Sequence, residues 1–228
     1  MKHAGKANMA AFRLILITLA AVLVLIIFSY LAKTIGAFVF GASAVLLFLW
    51  VVFSTFTMYF FRDPEAQVPS DAGLVVSPGH GKVDAIDTVT EAEFMGCECQ
   101  RVSVFLSVFD VHVQNMPVTG RVVLCKHAPG QYLNAMKAES ARFNENVLIG
   151  IESADPAGEK IGVRLIAGLI ARRIIPWVKA GEDVPRGQRM SLIQFGSRVD
   201  VYLSARAKVQ VKLGDRVVGG TTVLARFE

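Results

Sequence analysis

Hydropathy divides the chain near residue 61. Leu14 to Ala32 (LILITLAAVLVLIIFSYLA) carries no charge, nor does Ile35 to Phe61, and only Lys33 and Thr34 separate them. Each run reaches the ~20 apolar residues that a bilayer-spanning helix needs, so the pattern predicts two helices joined as a transmembrane hairpin. A cleaved signal peptide fits poorly, because its apolar core is about 7–15 residues long and ends at a small-residue site, whereas here a second span follows at once. A single long kinked or re-entrant element is the other arrangement the pattern allows.

Beyond residue 61 the apolar positions alternate. VVSPGHGKVDAI, VSVFLSVFDVHV, GRVVLCK, NVLIGIE, MSLIQF, RVDVYL and KVQVKL are short β-branched runs parted by Gly, Pro, Asn or Asp, the pattern of a mainly β domain. IGVRLIAGLIARRIIPWV is ambiguous, reading either as a buried helix or, given Gly168 and its Ile/Val content, as two strands. The segment from Val178 to Val184 (VKAGEDV) recurs from Val211 to Val217 (VKLGDRV), each copy followed by a further glycine, Gly187 and Gly220. This VKxGxxVxxG pattern suits a strand closing on a glycine turn, and it resembles the half-motif of biotinyl and lipoyl domains. Two copies suggest a barrel-sandwich hybrid. The expected organisation is therefore membrane-anchored and mainly β: a cytosolic tail over 1–13, a two-helix transmembrane hairpin over 14–61, and a β-rich barrel-sandwich-hybrid-like domain over 62–228.

Composition follows from this division, since the 53% hydrophobic content averages two unlike parts. Lys2, Lys6 and Arg13 precede the first span and Arg62 follows the second, so a hairpin puts them on one side. The positive-inside bias makes that side cytoplasmic, against Lys33 in the opposite turn, and predicts a β domain on the cytoplasmic side of the cell (inner) membrane. Lys and Arg exceed Asp and Glu by 24 to 19, a modest excess that favours an anionic lipid surface. The densest basic stretch, Arg172, Arg173, Lys179, Arg186 and Arg189, has Trp177 alone interleaved and belongs to no nucleic-acid-binding module. It reads as a lipid-attracting patch or as a plain solvated face, and no nucleic-acid partner is expected. Cys97, Cys99 and Cys125 are odd in number, and a CxC without a second Cys or His pair is a weak zinc or disulfide signal. They read as reduced thiols, with no metal expected. GxxxxGK[ST], HExxH and GxSxG do not occur.

The candidate chemistry lies at Phe195-Gly196-Ser197, inside LIQFGSRVDVYL. Apolar strands on both sides would hold a Gly-Ser turn in the strained geometry a serine needs to attack the preceding carbonyl and cut its own chain. A Gly-Ser pair without such context is an ordinary turn. Here YFFRDPEAQVPSDAGLVVSPGHGKV, VFLSVFDVHVQNMPVTGRV, FNEN and IAGLIARRIIPWVKAGEDVPRGQRMSLIQFGSRVDVYL follow in order from Tyr59 to Leu203. Together they resemble the short bacterial and archaeal type of phosphatidylserine decarboxylase proenzyme.

That resemblance implies self-cleavage between Gly196 and Ser197, giving a β chain over 1–196 and an α chain over 197–228 that stay together as a heterodimer, with a higher oligomer left open. Ser197 would attack the Gly196 carbonyl, the ester would undergo β-elimination, and a covalent pyruvoyl group would remain at the new N-terminus. Its ketone would form a Schiff base with phosphatidylserine in an anionic bilayer, take up the electrons released with carbon dioxide, and leave phosphatidylethanolamine, replacing a diffusible cofactor. His112, between apolar neighbours in VFDVHV, would act as general acid or base in decarboxylation and reprotonation. The family usually reads Pro-Ala-Asp-Gly where this chain has Pro78-Gly79-His80-Gly81, which makes His80 a candidate maturation base in place of the aspartate. Asp84 and Asp87 lie close in sequence, but strand alternation sets them on other faces. His3 and His127 read as tail and loop residues. Two other functions fit the same features: a membrane-tethered, non-catalytic lipoyl-like adaptor, which would stay one polypeptide, and a pyruvoyl decarboxylase for another amino-group substrate, which would cleave but make no phosphatidylethanolamine.

Overall fold

A computed structural model describes residues 5–31, 36–133, 143–168, 173–194 and 196–227. Two compact units make up the chain, Gly5–Asp63 and a β domain from Pro64 onward. The first contains helices α1 (Lys6–Leu31) and α2 (Gly36–Phe60). Both are long and apolar enough to cross a membrane. Their apolar side chains point outward all round, Phe28 and Phe40 being 71% and 72% exposed, as suits helices whose solvent is lipid. The indole N–H of Trp50 on α2 donates to Thr18 Oγ1 on α1 at 2.8 Å, satisfying a donor that hydrocarbon could not. Helix α1 begins at Lys6, ahead of the predicted Leu14, because Lys6 and Arg13 occupy its first turns, where long basic side chains extend toward water. Lys2, His3, Ala32, Lys33, Thr34 and Ile35 lie outside the described residues.

Among the described residues the β domain has fourteen strands. They are β1 (Leu74–Val76), β2 (Gly81–Glu91), β3 (Cys97–Leu106), β4 (Val113–Asn115), β5 (Gly120–Ala128), β6 (Asn146–Ala154), β7 (Ala157–Ala167), β8 (Ile174–Pro176), β9 (Asp183–Val184), β10 (Arg189–Ile193), β11 (Ser197–Leu203), β12 (Ala207–Val209), β13 (Arg216–Val217) and β14 (Val223–Phe227). An eight-stranded sheet runs β13-β2-β3-β11-β7-β6-β5-β9, with three-stranded sheets β1-β14-β12 and β4-β10-β8 beside it. The ambiguous segment is two strands, β7 and β8, with residues 169–172 between them outside the described set. Two runs read from sequence as continuous, VVSPGHGKVDAI and VSVFLSVFDVHV, are each broken. In the second, Asp110 Oδ2 accepts from Ser107 N at 2.8 Å and Ser107 Oγ at 2.7 Å, closing a turn that separates β3 from β4. Residues 77–80 separate β1 from β2, with Ser77 Oγ donating to Gly79 O at 2.7 Å.

The strand orders reveal an internal two-fold correspondence. Strands β4 to β10 form one unit. Strands β1 to β3 together with β11 to β14 form the other, matched element for element from the centre of the large sheet outward. The two VKxGxxVxxG segments fall at equivalent places. Gly181 N donates to Val122 O and Val122 N to Glu182 O (2.7 and 2.9 Å), just as Gly214 N donates to Val83 O and Val83 N to Asp215 O (2.8 and 2.9 Å). Gly181 and Gly214 have φ of 95° and 94°, a left-handed conformation that only glycine adopts cheaply, so the repeat marks the turns feeding the two sheet edges. In the first unit β6 and β7 form a hairpin, Ala154 facing Ala157. In the second, β3 and β11 pair likewise, Leu106 facing Ser197, but the hairpin tip is opened and the entire first unit is inserted there.

Ser197 therefore begins a strand that is paired on both sides, opposite Leu106 of β3 and Ala167 of β7. From β11, Val199, Val201 and Leu203 enter the main core with Val102, Val104, Val163 and Leu165. The alternate residues Arg198, Asp200 and Tyr202 face the other side of the sheet.

Candidate active site

The strand start, the turn before it and the segment ahead of β4 meet at one point. Gly196 has φ +72°, and a β-carbon there would have room, its nearest neighbour being Val108 Cγ1 at 3.9 Å. Glycine is thus required by the backbone rather than by crowding, and any other residue would be strained by roughly 1–2 kcal/mol. The Gly196 carbonyl oxygen accepts from Gly168 N at 3.1 Å. Such a donor draws electron density from the carbonyl carbon and is placed to hold negative charge on its oxygen. Ser197 is fully buried, and its Oγ has no hydrogen-bond partner among the described residues. A buried hydroxyl left unpaired is costly, so an uncommitted one beside a polarised carbonyl suggests chemistry rather than stability. Phe195 lies outside the described residues.

His112 closes the site from the other side. The Gly196 N–H donates to His112 Nε2 at 3.0 Å, so that nitrogen carries a lone pair, and the proton sits on Nδ1, which donates to Asp110 O at 2.9 Å. The imidazole is fully buried and neutral in this arrangement. Its backbone is fastened as well: His112 O accepts from Ile193 N at 3.1 Å and from Gln114 Nε2 at 2.7 Å, and Gln114 Oε1 accepts from Ser191 Oγ at 2.7 Å.

His80 sits beside Asn115, and a β-carbon at its neighbour Gly79 would meet Leu106 Cδ1, on the cross-strand partner of Ser197, at 3.4 Å. A β-carbon at Gly219 would come within 2.9 Å of His80 Cδ2 and 3.0 Å of both His80 Nε2 and Asn115 Oδ1, so two polar side chains converge on that glycine. Asn115 is anchored by its Nδ2, which donates to Gly187 O at 2.9 Å. Asp84 is the extra residue of a β-bulge in β2 and pairs with Arg198 at 3.1 Å, while Asp87 pairs with Arg101 at 2.6 Å. Arg198 follows Ser197 in the strand, so these carboxylates sit across the sheet from the serine. Burial pushes the Asp84 carboxyl above its usual range, and Arg198 draws it partly back. His127 is a strand residue rather than a loop one, with Nε2 3.0 Å from Glu145 Oε1.

The basic stretch does not form one face. Arg189 is 3% exposed, and Arg186 spends its guanidinium on the backbone carbonyls of Leu74 at 3.0 Å and Asp71 at 2.9 Å; Arg172 lies outside the described residues. Cys97, Cys99 and Cys125 are free thiols, Cys99 and Cys125 raised in pKa by burial. Among the described residues no group of His, Cys, Asp and Glu is arranged to hold a metal.

Two groups were not singled out from sequence. Gly168 contributes only a backbone N–H, which leaves no residue-type signal. Asn144, within FNEN, is 1% exposed and ties three strands of chain together: its Oδ1 accepts from Leu133 N at 2.8 Å, and its Nδ2 donates to Leu133 O at 2.8 Å and Ala167 O at 2.7 Å. Ala167 is the β7 partner of Ser197, so Asn144 positions the wall against which the serine is held. Asn144→Ala is expected to strand these buried backbone groups and lower stability by about 2–4 kcal/mol, measured by urea unfolding. An unchanged midpoint would remove Asn144 from this role.

The curated proteins most similar to this chain include three named phosphatidylserine decarboxylase proenzyme. The one from Desulfotalea psychrophila is 39% identical over 183 residues, covering 80% of this chain and 85% of its own. The one from Symbiobacterium thermophilum is 41% identical over 199 residues (85% and 92%), and the one from Pelobacter propionicus 40% over 195 residues (86% and 86%). The family model for phosphatidylserine decarboxylase matches residues 53–225. The chain belongs to the phosphatidylserine decarboxylase family. The family match takes in the end of α2 and nearly all of the β domain, including the Gly196 turn, His112 and His80.

Proposed function

We propose that the protein decarboxylates phosphatidylserine to phosphatidylethanolamine and carbon dioxide, using a pyruvoyl group that it makes from Ser197 by cutting its own chain. The observation that carries this reading is the buried, uncommitted Ser197 hydroxyl following a Gly196 carbonyl polarised by Gly168 N–H, within a family of proenzymes. The residues present fit such a group, because Ser197, whose backbone and β-carbon would become it, is held by two strand ladders and screened from water.

In the cut, Ser197 Oγ bonds to the Gly196 carbonyl carbon, the peptide C–N bond breaks, and the hydroxyl proton passes to the freed amine. The Gly168 N–H faces the oxygen on which charge collects. Loss of the Ser197 α-proton then breaks the Cβ–O bond and releases Gly196 as a carboxylate; uptake of water and loss of ammonia complete the residue's conversion. A ketone at residue 197 would supply an electrophile for the substrate amine and a sink for the electron pair left when carbon dioxide departs. His112 Nε2, beside the Gly196 turn, is placed to shuttle a proton to the product carbon.

The apolar hairpin supports action on a lipid that does not leave the bilayer readily, at about 0.8 kcal/mol per buried CH₂, and the positive-inside bias puts the β domain on the cytoplasmic side. Intact-mass analysis of the purified protein, together with conversion of phosphatidylserine vesicles, tests the reading: phosphatidylethanolamine formed by an uncut chain would refute it.

His80 enters as the maturation base, facing Asn115. His80→Ala is expected to accumulate full-length precursor, and His80→Asp, which restores the family's usual residue, to mature at least as well as the unmodified chain. Gel quantification of the two fragments decides it, and normal cleavage of His80→Ala would return His80 to the status of a turn residue.

A further inference from the structure

The two most exposed large apolar side chains among the described residues of the β domain are Leu213 at 68% and Phe109 at 63%. Both stand at the tips of tight turns, where polar residues are the rule. Each turn is also braced by its own carboxylate. In Ser107–Asp110, Asp110 N donates to Ser107 O at 2.9 Å while Asp110 Oδ2 accepts from Ser107 N. In Lys212–Asp215, Asp215 N donates to Lys212 O at 3.1 Å and Asp215 Oδ2 accepts from Lys212 N at 2.8 Å. One ion pair ties the turns together, Arg216 to Asp110 Oδ1 at 3.1 Å. The apolar tips are therefore held out on stiff supports.

Three basic side chains stand around the tips beside the two bracing aspartates, and the cluster adjoins the reactive turn. Lys82 and Arg216 are direct cross-strand partners on β2 and β13, and Asp110 answers only one of the two charges. Lys212 is exposed at the second tip, and the Arg216 side chain is 76% exposed. Val108, next to Phe109, is the side chain closest to where a Gly196 β-carbon would stand.

We propose that Phe109 and Leu213, with Lys82, Lys212 and Arg216 around them, form a rim by which the β domain seats itself on an anionic bilayer surface, bringing the Gly196–Ser197 region to the headgroups. Apolar tips enter the interfacial layer while the basic side chains meet lipid phosphates and carboxylates, the arrangement that holds peripheral surfaces on membranes. The proposal deepens the reading above, that the substrate is a membrane lipid, and it replaces the 172–189 stretch as the lipid-facing charge.

The test uses the full chain reconstituted into phosphatidylcholine vesicles containing phosphatidylserine. Phe109 and Leu213 are replaced singly by photoreactive p-benzoylphenylalanine, with Val123 on β5, at the far end of the large sheet, as control. Irradiation is expected to give lipid adducts at 109 and 213 and none at 123. Absence of lipid adducts at the first two positions, or adducts to a second copy of the protein instead, overturns the proposal. In parallel, Phe109→Ser with Leu213→Ser is expected to lower turnover of bilayer phosphatidylserine about tenfold or more, leaving fragment yield and turnover of monomeric short-chain phosphatidylserine unchanged. Equal loss on both substrates overturns it as well. Should the double variant fail to fold, the photoreactive variants, which keep a large apolar group, still decide the question. Lipid adducts in a chain that makes no phosphatidylethanolamine would leave the rim standing and sink the decarboxylase reading.

Discussion

Ser197→Ala is expected to stay a single chain of 228 residues and to form no phosphatidylethanolamine, whereas the unmodified protein is expected to yield fragments 1–196 and 197–228, the smaller with a ketone at its blocked N-terminus. The substitution removes one oxygen from a fully buried site where it has no hydrogen-bond partner among the described residues. Nothing then loses a partner, and the fold should be as stable as before or more so, by on the order of 1 kcal/mol. Loss of cleavage can thus be told from loss of folding by comparing unfolding midpoints. Cleavage of Ser197→Ala at the same bond would end the assignment.

His112→Ala should separate making the enzyme from using it. The Gly196 N–H loses its acceptor, so the turn is held less well and fragment yield falls, yet Gly168 still faces the Gly196 carbonyl and some chains mature. Activity per cleaved α chain is expected to fall by about 10²–10⁴, the usual loss when a positioned proton carrier is removed. Counting ketone-bearing fragments by mass and dividing turnover by that count gives the answer. Full activity per fragment would strike His112 from the catalytic list and leave it as a brace for the turn.

How much of this was readable in advance depends on the range of the interactions concerned. The apolar hairpin and the alternating strands are local patterns, and they appear as the hydropathy implies, apart from the two breaks. The turn between β3 and β4 leaves only a slip of phase in the sequence, apolar positions passing from Val104, Leu106 and Val108 to Phe109, Val111 and Val113, and the hydrogen bonds between Asp110 and Ser107 are what stop the strand there. The VKxGxxVxxG pair hinted at duplication, since a left-handed glycine turn needs glycine wherever it occurs. The insertion of one unit into a hairpin of the other leaves no such local mark. At the site, Gly196, Ser197 and His112 could each be picked out by their neighbours, but 84 residues separate the histidine from the glycine whose N–H it accepts. Gly168 acts through backbone alone, and Asn115 next to His80 and Asn144 next to the strand wall are ordinary polar residues until the fold assembles around them. The basic stretch is divided by the fold: Arg189 is buried and Arg186 binds backbone carbonyls, while Arg173 and Lys179 stay exposed.

The opened hairpin tip has a bearing on what a nick there would leave behind. Strand β11 lies between β3 and β7, and the segments after it pair with β2 and β1, so residues 197–228 are woven through the domain and have no route out as a fragment. Severing the chain before Ser197 costs the sheet no ladder. It turns residues 107–196 from a closed excursion into a branch tethered at one end only. The two new termini are unequal: residue 197 stays clamped at the middle of the large sheet, while the Gly196 carboxylate belongs to the slack side, with β10 its nearest upstream strand. On the proposed reading the reactive group would form on the strand-paired side of the cut, and the new Gly196 carboxyl end would be the one no longer covalently held to it.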